Sequence, residues 1–375
     1  MGAQIVVGLG FGDEGKGITT DYLCSQSSNA IVIRFSGGQQ CGHTVVLNGR
    51  KHIHSSFGSG TLRGVPSYFG EHTTIYPLTL YNEELELRRK GINPSLAIHP
   101  LAALTTPYDV AHNRIMERKR GNGSCGLGIA ATMKRNIETP YKLYAVDLLH
   151  PEILRQKMAN LKSWYLSRYL PYDNDRQTFL EECRLWEDAY FEAIEKTKFN
   201  IQNYSYLLNF GDWIFEGSQG IMLDANHGIF PNVTYANTTS RNAVELCKYY
   251  NRGYEIYYVT RCYQTRHGAG WMSSEKEIKL INNEEEINVH NEWQKHFRVG
   301  ELDYRLLNQA LQVDAIYSEQ MPHTRNLVVT CLDQRPDFTL DLSQFNTEFN
   351  KVLTCYSAHT SGMKVHQTFP VCAQV

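Results

Sequence analysis

Short apolar, β-branched runs alternate with glycine-rich polar stretches along most of the chain. "QIVVGL", "AIVIRF", "PSLAIHP", "DWIFEG", "EIYYVTR" and "LVVTCLDQ" each read as a buried strand running into a loop. "TVVLNGRKHIHS" reads as a hairpin, because Asn48-Gly49 separates two alternating segments. A helix is expected from Thr19 to Ser25. Another covers "YNEELELRRKG", ended by its glycine. From Leu148 to Leu208 the period changes. "LHPEILRQKMANLKSWYLSRYL" and "RQTFLEECRLWEDAYFEAIEKTK" carry apolar residues at helical spacing. They predict a helical subdomain inside one domain spanning residues 1–375. Its aromatic stripe (Trp164, Tyr165, Tyr169, Trp186, Tyr190, Phe191) is read as packing, not as a base-stacking surface. Strands separated by helices predict an α/β fold: a large, mainly parallel sheet with surrounding helices and a helical insertion. Ligands of such sheets bind beyond the carboxyl ends of the strands, where the glycine-rich loops fall.

Composition narrows the class. A net charge of -2 over 375 residues leaves no electrostatic footprint for duplex nucleic acid. No signal peptide is expected at "MGAQIVVGLG", and no apolar run reaches membrane-spanning length. The nine cysteines are scattered and odd in number, without CxxC spacing. They predict reduced, mostly buried thiols in a cytoplasmic protein.

The chemistry is expected in the loops. "GLGFGDEGKG" follows the first strand and resembles a phosphate-binding loop, with Lys16 as cation and the amides around Gly12, Gly15 and Gly17 as anion donors. The usual Ser or Thr after the lysine is Gly17, which disfavours an ordinary P-loop NTPase. Asp13 and Glu14 are inserted instead. Asp13 is a candidate magnesium ligand and general base. "GGQQCGHT" brings His43, an imidazole that pairs with the Asp13 carboxylate as acid and base around a phosphoryl acceptor. "GNGSCGLGIAATMKR" offers Ser124 and, further on, Arg135 to a second phosphate. "EGSQGIMLDANHGIFPNVTYANTT" offers Gln219, Asn226 and Thr234 to a base or ribose edge. Arg298 in "NEWQKHFRVGELD" is a candidate carboxylate clamp.

Taken in order, "GDEGKG", "GGQQCGHTVV", "GNGSCGLGIA", "FEGSQGIMLDANHGIFPNVT", "TRHGAG" and "TCLD" resemble the adenylosuccinate synthetase family. The resemblance covers most of the chain outside 148–208. It implies a P-loop-related fold, a homodimer, and a ligase that uses magnesium and a nucleoside triphosphate. Asp13 would take the N1 proton of a 6-oxopurine nucleoside monophosphate. O6 would attack the γ-phosphate, with His43 and Lys16 stabilising the transfer. The amine of L-aspartate would then displace the 6-phosphoryl group. Gly12, Glu14, Gly15, Gly17 and Thr44 would line the triphosphate site, and Asp13 and the Gly42 backbone oxygen would hold magnesium. Gln40, Ser124, Cys125, Gln219 and Thr234 would bind the purine monophosphate, with Arg135 reaching it from the partner subunit. Arg298 would meet the aspartate carboxylate or the ribose, and Asp333 the donor base.

Several motifs depart from the common enzyme. Ser124-Cys125 replaces Thr-Thr, "GIAA" replaces "GIGPA", and "NEWQKHFRVGELD" replaces a loop rich in Thr, Gly and Arg. "TCLD" replaces "TKLD", so Cys331 stands where a lysine contacts guanine. The donor is therefore expected to be ATP or dATP, with GTP still open. These variants are similar to the phage branch, which joins aspartate to dGMP on the way to 2-aminoadenine DNA. Asp13 points the other way, since phage members carry Ser there. A carboxylate can nevertheless accept from both guanine donors. dGMP is the expected substrate and IMP the alternative. A catalytically silent nucleotide-binding regulator is a third reading, opposed by the joint presence of Asp13, Lys16 and His43.

Overall fold

The computed structural model describes residues 2–121, 123–171, 173–282, 290, 291, 293 and 295–367. A nine-stranded sheet organises the chain. In chain order its strands are β1 (Ala3–Gly8), β2 (Ala30–Arg34), β5 (Ser67–Phe69), β7 (Leu96–Ile98), β9 (Asp212–Gly220), β10 (Tyr254–Arg261), β14 (His323–Thr330), β15 (Lys351–Cys355) and β16 (Met363–Gln367). Their spatial order is β16-β15-β14-β10-β1-β9-β2-β5-β7. Every neighbouring pair is parallel except β15 with β16. The expected mainly parallel α/β sheet is therefore present. β1 lies between β9 and β10 with Ile5, Val6 and Val7 at most 1% exposed, as the unbroken apolar run requires of a strand covered on both faces.

Smaller pairings surround this sheet: β3 (His43–Leu47) with β4 (Arg50–His54), β6 (Thr74–Ile75) with β8 (Ala103–Leu104), and β11 (Gln264–His267) with β13 (Lys295–Gly300) and β12 (His290–Asn291). The β3–β4 hairpin turns at Asn48 (φ 51°) and Gly49 (φ 73°), the left-handed pair that a two-residue hairpin needs.

The helices are α1 (Lys16–Ser25), α2 (Pro77–Arg89), α3 (Pro107–Arg120), α4 (Ile129–Glu138), α5 (Pro151–Leu166), α6 (Asn174–Lys196), α7 (Arg241–Tyr249) and α8 (Tyr304–Ser318). α1 begins three residues before the expected Thr19, so Lys16 is its first residue and Gly15 (φ 96°) its N-cap. α5 and α6 form the helical stretch read from the sequence. Their buried residues Leu154, Met158, Leu161, Tyr165, Phe179, Cys183 and Tyr190 share one core with Leu80 and Leu87 of α2 and Tyr108 and Ile115 of α3. The aromatic stripe is largely packing: Tyr165 and Tyr190 are at most 1% exposed, while Trp186 remains 40% exposed. Among the described residues, the eight cysteines are free thiols, and no helix is long and apolar enough to cross a membrane.

Candidate active site

The loops after β1, β2 and β9 meet beyond the carboxyl ends of these central strands, beside a cavity of about 680 Å3. Asp13, Gln40, Gly42, Ser124, Cys125, Arg135, Gln219 and Thr234 all line it, so residues far apart in sequence converge as expected. His267 and Arg266 complete the wall beside Asp13. Trp164, Tyr165 and Tyr169 also reach it, so part of the aromatic stripe serves both core and cavity.

The first loop is built around its own acid. Glu14 Oε1 accepts the Gly10 and Gly12 N–H groups at 3.0 and 2.8 Å, and Oε2 accepts from Lys16 Nζ at 2.6 Å. Glu14 thus stands in the loop expected to line the triphosphate site with its carboxylate bound to the loop itself. It is 4% exposed and turned inward, holding the loop closed. Two loop amides and the lysine are engaged by it. The glycines follow from close approach. A Cβ on Gly15 would lie 2.7 Å from Thr330 Cγ2, and one on Gly17 2.8 Å from His43 Cβ. Ser or Thr after Lys16 would thus displace His43, a physical reason for the departure from the ordinary loop.

Asp13 sits at φ 64°, which aims its carboxylate at the cavity. His267 Nε2 lies 3.3 Å from Asp13 Oδ2, and Arg261 Nε donates to the Asp13 carbonyl at 2.5 Å. Burial raises the carboxyl pKa. The hydrogen bond and charge of His267, with the charges of Arg261 and Lys16, outweigh burial and hold it below the usual range. Asp13 is therefore a carboxylate acceptor near neutrality. His267 Nδ1 is buried without a hydrogen-bond partner among the described residues, so Nε2 is the ring nitrogen that engages Asp13.

His43 opens β3 and is 8% exposed. Its Nδ1 lies 2.7 Å from Glu216 Oε1 at the centre of β9. Glu216 also accepts from the Ser59 hydroxyl, and from the Ser59 N–H at 3.2 Å. Burial raises the Glu216 pKa, but His43, Arg34 and Ser59 overcome it and bring the carboxyl down to about 2. An ionised Glu216 accepts a hydrogen bond from Nδ1–H, which fixes the ring and leaves Nε2 free of this contact. Burial holds the imidazole itself below its ordinary pKa despite Glu216. Arg34, register partner of Glu216, is 1% exposed, and its Nε, Nη1 and Nη2 have no hydrogen-bond partner among the described residues.

Other residues land differently. Ser124 Oγ accepts from Asn113 Nδ2 at 3.2 Å, and burial pushes the Cys125 thiol to about 11, so it stays protonated. Arg135 corrects a prediction. All five of its N–H groups are spent within this chain, on Asp109, Asn136, Leu104 O and Tyr141 O, at 2.5–3.0 Å. At 1% exposure its guanidinium is held by these intrachain partners, although the residue still lines the cavity. Arg298 does not line the cavity. It donates to Gly268 O, Gly270 O and Glu275, bracing the "HGAG" turn instead of facing it. Its sequence loop "NEWQKHFRVGELD" lies partly outside the described residues. Thr44 is half-buried beside His43, and Asp333 lies half-buried beyond β14, outside the cavity lining.

Glu216, His267, Arg34 and Ser59 were not read from the sequence. Glu216 and His267 lie inside quoted motifs, "FEGSQG" and "TRHGAG". A carboxylate directly after the apolar run Trp213–Phe215, inside a strand, was the available signal for Glu216. His267 becomes visible only when β11 folds back beside the first loop.

The family model described as Adenylosuccinate synthetase matches residues 5–334. The adenylosuccinate synthetase of Pseudomonas putida strain F1 is 33% identical over 285 residues, covering 72% of this chain and 64% of that protein. The chain thus spans under two thirds of that relative's length. The Borrelia recurrentis synthetase is 27% identical over 333 residues, covering 84% and 75%. Two solved structures share the fold. The fully ligated Plasmodium falciparum adenylosuccinate synthetase has a TM-score of 0.68 at 19% identity, over 98% of this chain and 87% of that one. The cyanophage S-2L succinoaminodeoxyadenylate synthetase, bound to dGMP and dATP as an energy donor, has a TM-score of 0.66 at 15% identity, over 98% and 95%. Matched across nearly its whole described length, the chain belongs to the adenylosuccinate synthetase family.

Proposed function

We propose that this chain is a cytoplasmic, homodimeric ligase that joins L-aspartate to C6 of a purine nucleoside monophosphate, driven by a nucleoside triphosphate. The observation that carries the reading is the pair of tuned groups on the loops after β1 and β2: Asp13 ionised on the cavity wall, and His43 oriented by Glu216. Asp13 accepts the N1 proton of the purine, which concentrates charge on O6. O6 attacks the γ-phosphorus, and the bond to the leaving diphosphate breaks. The aspartate amine then attacks C6 and inorganic phosphate leaves with the former O6.

The incoming polyphosphate offsets the burial that keeps His43 neutral, so Nε2 gains a proton and donates to the developing charge. Lys16 shares its ammonium between Glu14 and the triphosphate. The Asp13 carboxylate and Gly42 backbone oxygen, hard donors on one cavity wall, suit magnesium, which would neutralise phosphate oxygens. Gln40, Ser124, Cys125, Gln219 and Thr234 are assigned to the monophosphate from their place on the wall, and Asp333 to the donor base.

The purine is proposed to be dGMP. Support comes from the "TCLD" and "GIAA" variants and from the shared fold of a cyanophage protein described with dGMP and dATP. ATP or dATP is the matching donor. One observation favours IMP as a second reading: His267 engages Asp13 Oδ2, leaving Oδ1 as the freer acceptor, which suits a purine with a single N1–H donor. An activity matrix separates them: IMP, GMP and dGMP, each with aspartate and ATP, dATP or GTP, read by product mass. Succinylated product from dGMP supports the first reading. Turnover of IMP alone overturns it, and no product from any pair overturns both.

A further inference from the structure

We propose that His52, His54 and Glu83 form a separate site for a divalent transition metal of the zinc class, which ties the β3–β4 hairpin to α2. The three ligand atoms lie within 4.8 Å of one another, and all three side chains are buried. His52 Nε2 is 3.3 Å from Glu83 Oε1, and His54 Nδ1 is 3.9 Å from the same oxygen. Ligand atoms around a tetrahedral zinc with bonds of about 2.0–2.1 Å are about 3.4 Å apart, so the His52–Glu83 pair already fits and the wider spacings must close by up to about 1.4 Å.

His54 supplies the independent observation. It is fully buried, and neither ring nitrogen has a hydrogen-bond partner among the described residues. An orphaned buried imidazole is costly. Strand alternation sharpens the point. β4 places His52 and His54 inside and turns the apolar Ile53 outward, 43% exposed. Packing alone would favour the opposite register.

The surroundings fit a bound cation. Glu83 is held by the Ser56 N–H at 2.6 Å and by the Ser55 N–H and hydroxyl. The shortest of these bonds go to Oε2, and Oε1 faces the imidazoles. Lys90 Nζ lies 2.9 Å from His52 Nδ1, and Glu86 Oε1 lies 3.2 Å from the same nitrogen. Without metal, Lys90 donates to Nδ1 and the ring proton sits on Nε2, toward Glu83. With metal on Nε2, the proton moves to Nδ1 and is donated to Glu86, the carboxylate–histidine–metal arrangement. Lys90 keeps its bonds to Glu86 and the Lys51 carbonyl. No net proton is released. Three protein ligands leave a fourth position for water. His54 is the cross-strand partner of His43, so the ion would stiffen the hairpin that presents the catalytic imidazole without entering the reaction.

The test is metal retention by the full chain. After EDTA treatment, loading with Zn2+ and desalting, elemental analysis should find about one zinc ion per chain. His54→Leu should lose it, and Asp13→Ala should keep it, separating this site from the active site. Co2+ in place of zinc should give tetrahedral visible bands without thiolate charge transfer, excluding the cysteines. Zinc should raise the melting temperature of the wild-type chain and leave that of His54→Leu unmoved. A wild-type chain that retains no zinc, or a His54→Leu chain that retains as much, overturns the proposal. If His54→Leu does not fold, a wild-type Co2+ spectrum lacking tetrahedral nitrogen–oxygen bands overturns it equally.

Discussion

Arg34 and Arg135 are buried to the same degree, each 1% exposed, yet they belong to opposite kinds of region. Arg135 sits on the helical side of the cavity with every N–H satisfied. Its carboxylate partner Asp109 also accepts from Tyr165 and from the Thr106 hydroxyl and N–H that cap α3. Arg34 sits on the sheet side beside Glu216 and His43, with no hydrogen bond to any of its three nitrogens among the described residues. A closed network holds a fold together, and opening it costs stability. Arg34 feels the Glu216 charge but keeps all its donors unspent, which leaves them for a further anion. The sheet side is therefore the reacting side, and the helical side is the frame.

Perturbing each side should give different losses. The largest expected effect is on the sheet side. Asp13→Ala should lower product formation by at least the roughly 10²–10⁴-fold of a proton-transfer group, with triphosphate binding retained in calorimetry. Undiminished turnover would remove Asp13 as the base. On the helical side, Arg135→Met should cost about 3–5 kcal/mol in denaturant unfolding, because it strands Asp109. A variant that is stable but fails to bind nucleotide would instead restore Arg135 to the site.

Next comes a pH effect. Glu216 is held near 2 in the folded chain against an ordinary value of 4.5. The unfolded chain therefore binds the extra proton between those values. The stabilisation is complete above about pH 4.5 and is lost as pH falls toward 2, a swing on the order of 3 kcal/mol. Glu216→Gln should flatten that part of the acid-unfolding curve, and an unchanged slope would deny the pairing with His43. The smallest effect is Arg34→Met, which should leave the melting temperature unchanged or raised. Turnover should fall on the order of tenfold, the worth of one charge-assisted hydrogen bond. Strong destabilisation would show that Arg34 is framework like Arg135.

The same contrast explains what the sequence reveals. Strands, hairpin and helical stretch were legible because period and turn residues are local signals. Asp13 and His43 were legible because a carboxylate and an imidazole in glycine-rich loops have little packing purpose. Arg135 misled for a physical reason. Its distance from "GNGSCG" suggests phosphate, but the phase of α4 turns it toward Asp109, a partner 26 residues upstream. The inward turn of Glu14 was not legible, since nothing local says that a loop acid will accept its own loop's amides. His267 meets Asp13 across 254 residues, a contact that only the folded β11 turn creates.

The central claim is that O6 of the purine is phosphorylated before aspartate displaces it. A purine monophosphate labelled with oxygen-18 at O6, incubated with the full chain, magnesium, aspartate and a nucleoside triphosphate, tests this directly. The account predicts one labelled oxygen in the released inorganic phosphate for each succinylated product. Product formed with unlabelled phosphate would contradict it.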